Sequence, residues 1–246
     1  MIRFIFAATF VVLFLIFSIP IMFVEWIIGK FNPHLKDTSS LAIVNWAFRV
    51  VIWFAGTKLT IIGEENVPKD TPVLYVANHR SYFDILLTYT RVPRPTGYIA
   101  KKEMLKVPLL SIWMKYLHCQ FLDRQNIKEA LKSILASVEL IKQGVSICIF
   151  PEGTRNKEKE MLPFKEGSLK IAEKAKCPII PIAITNSAEI FENHLPKMKK
   201  CHVILEYGAP IIIHELSKED QKFLGAYTQN KIEEMLKKNS IEDLTS

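Results

Sequence analysis

The sequence predicts an α/β protein: one catalytic domain with a central, mostly parallel or mixed sheet flanked by helices, preceded by a membrane-embedded hairpin of two apolar helices. Three observations carry that prediction. Short apolar runs alternate with segments of helical period from residue 57 onward. Motifs rich in charge and turn formers follow two of those runs directly, where open α/β sheets present functional residues at the carboxyl ends of strands. The first 56 residues are instead dominated by two long apolar stretches. The chain of 246 residues thus divides into an anchor, 1–56, and a catalytic domain, 57–246, long enough to bury a full core.

The first stretch, Phe4 to Val24, is uncharged and about long enough to cross a ~30 Å hydrocarbon core. It exceeds the apolar core of a signal peptide and lacks a small-residue cleavage site. The second, Leu41 to Gly56, is short for a crossing and is interrupted by Asn45 and Arg49, so the pair predicts a hairpin lying in or dipping into one leaflet. Trp26, Trp46, Trp53 and Phe54 suit the headgroup boundary, or equally the packing between the two helices. A net charge of +7 fits an anionic leaflet. No nucleic-acid partner is expected, because the lysines are scattered and no helix-turn-helix, zinc-finger or RNP-type pattern occurs.

Strands are predicted at Leu59 to Gly63, Val73 to Ala77, Gly97 to Ala100, Gln120 to Leu122, Val145 to Phe150, Ile179 to Thr185 and His202 to Tyr207. The clearest helix is Ile127 to Lys142: Asn126 can cap it, Leu131, Ile134, Leu135, Val138 and Ile141 form an apolar face, and Gly144 follows its end. Further helices are expected at Glu166 to Lys176 and, after the cap Ser217, at about Lys218 to Lys238. Cys119, Cys148, Cys177 and Cys201 have no paired spacing and read as buried thiols in a reducing compartment. His34, His118, His194, His202 and His214 form no ligand pattern, so no metal is expected.

The chemistry concentrates in Asn78-His79-Arg80-Ser81-Tyr82-Phe83-Asp84, directly after an apolar run. A histidine titrating near neutral pH can take a hydroxyl proton, worth about 10² to 10⁴ in rate, and a carboxylate on its other nitrogen fixes the tautomer. Within one helix this spacing would set His79 and Asp84 about 140° apart, so the pair requires a loop-to-helix transition. Ser81-x-x-Asp84 also fits a helix-start box in which Asp84 only caps, and the two roles are compatible. No Gly-x-Ser-x-Gly nucleophile is present, which leaves the substrate's own hydroxyl as nucleophile. A second motif, Phe150-Pro151-Glu152-Gly153-Thr154-Arg155, follows the run Val145 to Phe150: Pro151 and Gly153 bend the chain, Thr154 can donate, and Arg155 offers a forked cation suited to phosphate. Taken alone, such a turn is more often a solvated surface feature.

With these two blocks, the sequence resembles the glycerolipid acyltransferases, specifically those acting on 1-acylglycerol 3-phosphate, over roughly residues 58 to 210. Phe121-Leu122-Asp123-Arg124 and Pro178-Ile179-Ile180-Pro181-Ile182 match two further family blocks in order. One departure is His118, where the second block usually opens with glycine. The resemblance implies His79 as general base on the sn-2 hydroxyl, with Asp84 orienting it. It also implies that Arg124, Glu152, Gly153, Thr154, Arg155 and Lys101 hold the acceptor phosphate, with Lys102 and Lys165 as lesser candidates. Asn78, Ser81, Phe121, Pro151 and Pro181 support the motifs, Pro181 by packing or by lining an acyl channel. The implied partners are lysophosphatidic acid, an acyl donor on coenzyme A or acyl carrier protein as co-substrate without a resident cofactor, and the cell membrane with the domain on its cytoplasmic face. Two alternatives stand beside this: the same chemistry on glycerol 3-phosphate or another lysophospholipid, and a non-catalytic lipid-binding protein with a structural His79 and Asp84.

Overall fold

Burial on both faces of the strands sets the layers, since residues alternate sides with period two and both sides are apolar. The computed structural model describes residues 1–243 except 124 and 159, and the side chains of these except 127 and 241–243. The strands are β1 (Lys58–Ile62), β2 (Leu74–Ala77), β3 (Thr96–Lys101), β4 (Gln120–Leu122), β5 (Ser146–Ile149), β6 (Ile179–Thr185) and β7 (His202–Tyr207). Each lies within one residue of its predicted bounds. Among the described residues they form one sheet in the order β1-β7-β6-β2-β5-β3-β4, parallel throughout except β6 against β7.

One face packs Leu74, Val76, Ile147 and Ile149 against α6 (Ile127–Lys142), α7 (Glu166–Ala175) and α9 (Leu224–Asp243). Asn126 caps α6 as predicted, accepting from the amides of Lys128 and Glu129. Ile134, Val138 and Ile141 of its apolar stripe reach this core, whereas Leu131 and Leu135 stay exposed. The predicted last helix is broken at Phe223 into α8 (Lys218–Lys222) and α9. Glu166 of α7 accepts from the amides of Gly225 and Ala226 at 2.8 and 3.1 Å, which satisfies the start of α9 from another helix.

The opposite face packs Tyr75, Ala77, Cys148, Ile180 and Ile182 against α4 (Phe83–Tyr89), α5 (Leu110–Tyr116) and the N-terminal helices α1 (Ile2–Phe17), α2 (Ile19–Phe31) and α3 (Pro33–Ala55). The first arm of the hairpin is bent: α1 and α2 meet at Ser18, at 50°. Among the described residues only α3 is by itself long and apolar enough to cross a membrane, and α1 with α2 qualifies as one bent pair. α3 begins at Pro33, ahead of the predicted Leu41, because Asn32 caps it and accepts from Leu35 N–H at 3.0 Å. Its polar first turns conceal that start from a hydropathy reading. Glu25 of α2 is buried and accepts from Ser39 and Ser40 of α3 at 2.8 and 3.0 Å. Ser18 and Met22 accept from Trp113 and Tyr116 of α5, tying the arm to the domain. Phe6, Phe17, Phe23, Trp26, Phe31 and Trp53 remain exposed on the outside.

Cys119, Cys148 and Cys177 are buried, and burial raises the thiols of Cys119 and Cys177 to about 11; Cys201 is only half-buried. His118 stands at φ 59, in the left-handed region that the glycine expected from the family resemblance would adopt without strain; here its ring sits 2.9 Å from Asp37 of α3.

Candidate active site

The site lies along the edge where β2, β5, β3 and β6 end, and its residues are placed by the first turn of chain after each strand. After β2, the buried Asn78 exchanges hydrogen bonds with the backbone of Ile184 on β6, donating to its carbonyl at 3.0 Å and accepting from its amide at 2.8 Å. That pins the loop, and His79 then turns back toward the start of α4. Its Nδ1 lies 2.8 Å from Asp84 Oδ2. Because residues 79–82 precede the helix, the five-residue spacing closes as a loop against a helix start. Asp84 is fully buried, and its Oδ2 also accepts from the amides of Arg80 and Ser81, each at 2.7 Å. Both anticipated roles of Asp84 are therefore carried by one oxygen: it caps the loop and it orients the ring.

Three further contacts hold the histidine. Its ring stacks on Phe150 at the end of β5, with centroids 4.1 Å apart. Its carbonyl accepts from Asn156 N–H at 2.7 Å. Its own amide donates to Glu152 Oε1 at 2.7 Å, while Glu152 Oε2 accepts from Leu162 N–H at 3.0 Å. Glu152 is thus a correction to the expected phosphate group: it is buried, and both oxygens are engaged by backbone amides. Burial raises its carboxyl above the ordinary range, and the two amides partly offset that cost. With Nδ1–H directed at Asp84, the lone pair on Nε2 is the basic position of the ring; among the described residues no hydrogen bond engages it.

The turn after β5 is built on Gly153, whose φ of +76 is left-handed. Pro151 is buried and its carbonyl accepts from Lys165 N–H, so Lys165 borders the turn with its side chain beside Gly153. Thr154 is exposed at the tip. Arg155 lies with its guanidinium over the ring of Tyr82 at 3.5 Å, donates to the Tyr82 hydroxyl at 2.9 Å and meets Glu192 at 3.4 Å. Lys101 ends β3 on the same edge, exposed and 3.3 Å from Glu103, and Lys102 pairs with Asp123 at 3.0 Å. Phe121 pairs with Ala100 in the sheet; Arg124 lies outside the described residues. Pro181 sits beside Val76 within β6 and lines a cavity of about 660 Å³ that opens where β1 and β7 end, the edge away from His79.

Ser81 is buried, accepts from Phe83 N–H at 3.0 Å and donates to Glu192 at 2.6 Å. Glu192, Tyr82 and Asn156 are site residues that sequence reasoning missed. Tyr82 and Asn156 lie inside or beside the motifs, whereas Glu192 sits in a polar stretch after β6 that carries no pattern.

The arrangement is a buried carboxylate and an oriented imidazole beside the turn that carries Arg155; among the described residues no Ser, Thr or Cys side chain is hydrogen-bonded to the ring. The acyltransferase family model matches residues 58–185, which span both motifs. The probable 1-acyl-sn-glycerol-3-phosphate acyltransferase of Mycoplasma pneumoniae is 33% identical over 192 residues, 76% of this chain and 70% of the relative. The 1-acyl-sn-glycerol-3-phosphate acyltransferase of Borreliella burgdorferi is 27% identical over 205 residues, 83% of this chain and 79% of the relative. The crystal structure of the 1-acyl-sn-glycerophosphate (LPA) acyltransferase, PlsC, from Thermotoga maritima shares the fold, with a TM-score of 0.79 at 24% identity over 96% of this chain and 94% of that one. With the histidine loop and the Glu152–Arg155 turn both inside the matched span, the chain belongs to the acyltransferase family.

Proposed function

We propose that the protein transfers a fatty acyl group from an acyl thioester to the sn-2 hydroxyl of 1-acylglycerol 3-phosphate, giving phosphatidic acid. The observation that carries this reading is the 2.8 Å contact of His79 Nδ1 with buried Asp84, at the carboxyl edge of the sheet in a chain of this family. The names of the relatives from Mycoplasma pneumoniae and Borreliella burgdorferi support the acceptor.

His79 Nε2 takes the hydroxyl proton as the oxygen attacks the thioester carbonyl, and Asp84 stabilises the imidazolium through Nδ1–H. When the C–S bond breaks, the same proton passes from Nε2 to the departing sulfur, so the base returns neutral and a free thiol leaves. Arg155, with Arg124 and Lys101, would hold the phosphate, because a dianion bound by several cations also fixes the hydroxyl near the ring. Glu152 would act behind His79, through its backbone amide. The donor is carried on coenzyme A or acyl carrier protein and no resident cofactor is needed. The exposed apolar side of α1 to α3 would sit in an anionic leaflet of the cell membrane, with the catalytic domain on the cytoplasmic face, where both donors are found.

Mass spectrometry of products tests this. Wild type and His79→Ala in liposomes are mixed with 1-acylglycerol 3-phosphate and either long-chain acyl coenzyme A or acyl carrier protein thioester. Wild type is expected to make phosphatidic acid, and the variant to lose about 10² to 10⁴ in rate. Folded wild type that makes none with either donor sinks the acceptor assignment and directs the assay to glycerol 3-phosphate and other lysophospholipids.

A further inference from the structure

Glu192 touches both motifs at once, although it lies beyond the span matched to the family. One oxygen accepts from Tyr82 N–H at 2.7 Å and meets Arg155 at 3.4 Å; the other accepts from Ser81 Oγ at 2.6 Å. Its side chain is only 15% exposed, so these bonds form in a partly desolvated setting where charge-assisted contacts gain strength. Its short bonds go to the histidine loop. The long one goes to Arg155, whose fork is also aligned by the face and hydroxyl of Tyr82. The preceding residue, Phe191, stacks on Phe4 of α1 with centroids 5.3 Å apart and planes within 11°. The same end of α1 is fixed by Arg3 donating to the Phe54 carbonyl of α3 at 3.0 Å. An unbroken set of contacts therefore runs from the first turn of the anchor to Arg155.

We propose that Glu192 is a positioning residue, seated on the anchor through the Phe191–Phe4 stack, that sets the distance between the acceptor-binding Arg155 and the base His79. The inference rests on the acceptor reading above, since it gives Arg155 a phosphate to hold. Its consequence is that the anchor does more than tether: the first turn of α1 supports the geometry of acceptor binding. Glu192→Gln keeps one acceptor oxygen for Tyr82 N–H and turns its NH₂ toward Ser81 Oγ, which can accept in place of donating, while the charge facing Arg155 is removed. Phe4→Ala removes the stack without touching the site.

The experiment is steady-state kinetics of the full chain in liposomes, with 1-acylglycerol 3-phosphate and with phosphate-free 1-monoacylglycerol, alongside amide hydrogen exchange at Ser81 and Tyr82. Glu192→Gln is expected to raise the KM for the phosphate acceptor about tenfold, the loss of one modest charge-assisted contact, with kcat nearly unchanged. Phe4→Ala should shift it in the same direction by less, at equal liposome binding. Both variants should speed exchange at Tyr82. An unchanged KM for the phosphate acceptor, or an equal rise for both acceptors, overturns the positioning role. Wild type inactive on 1-acylglycerol 3-phosphate would instead remove the acceptor reading, and unchanged exchange at Tyr82 would then overturn the positioning role of Glu192 by itself.

Discussion

The loop from His79 to Asp84 and the turn from Glu152 to Arg155 each follow a parallel strand, yet they are held in opposite ways. Asn78, Ser81, Asp84 and Glu152 are all buried, and their contacts run mainly to backbone amides and carbonyls. Thr154 is exposed, and Arg155 leans on the side chains of Tyr82 and Glu192 at the surface. On the proposed function, the difference follows from the work assigned to each part. A base must keep one tautomer in one direction through every turnover, which calls for donors and acceptors that cannot rearrange. A cation meant for a phosphate must keep part of its fork free, so Arg155 is steered by a few side chains and stays partly solvated. Glu152 belongs by sequence to the second motif and by contact to the first.

The sharpest way to break this comparison is Asp84→Asn. Three donors converge on Oδ2, from Nδ1 of His79 and the amides of Arg80 and Ser81. A carboxamide oxygen that keeps the two amides offers the ring no full negative charge, and its NH₂ falls at the buried Oδ1 position, where no hydrogen-bond partner stands among the described residues. Turnover should fall by about 10³ to 10⁴, the order known for the equivalent change in a serine-protease triad, while acceptor KM stays close to wild type. Retention of most of the activity would mean that the carboxylate only holds the loop before α4.

Arg155→Ala is expected to do the reverse and at smaller scale. Loss of a hydrogen bond to a charged group costs about 1.5 to 3 kcal/mol, so kcat/KM for 1-acylglycerol 3-phosphate should drop roughly 10- to 100-fold, mostly through KM. A phosphate-free acceptor should show no such penalty. A fall in kcat of the size seen with Asp84→Asn would show that the arginine serves the chemical step itself and would erase the contrast between the two regions.

Much of this site was legible in the sequence because its determinants are local. Asn78, His79, Ser81 and Asp84 fall within seven residues, and a strand followed by a turn suffices to bring them together. Strand bounds were legible for a similar reason: β-branched runs buried on both faces leave little ambiguity between turn signals. What was not legible depends on distant pairing. Glu152 reads as a charge on an exposed turn until its oxygens are seen on the amides of His79 and Leu162. Glu192 acts across more than a hundred residues of chain, on Ser81 and Tyr82. The break at Phe223 depends on Glu166 capping α9 from α7, which no local propensity encodes. The apolar stripe on α6 overstated its burial, since periodicity gives a face but not the width that a neighbour covers.

The mildest test, Gly153→Ala, asks whether the two regions are mechanically separate. An alanine held at φ +76 costs about 1 to 2 kcal/mol of backbone strain. Its methyl would stand 2.7 Å from Lys165 Nζ, the free end of a flexible chain that can swing aside, so the cost is conformational more than steric. The melting temperature should fall by roughly 2 to 8 °C for a chain of this length. Activity should fall less than with Arg155→Ala, and mainly through acceptor KM, because the residues beyond Gly153 move while Glu152 stays on the amides of His79 and Leu162. A selective loss of kcat would mean that the strain passes backward through Glu152 into the histidine loop. The buried brace and the exposed turn would then behave as one body, and Glu152 would be the joint between them.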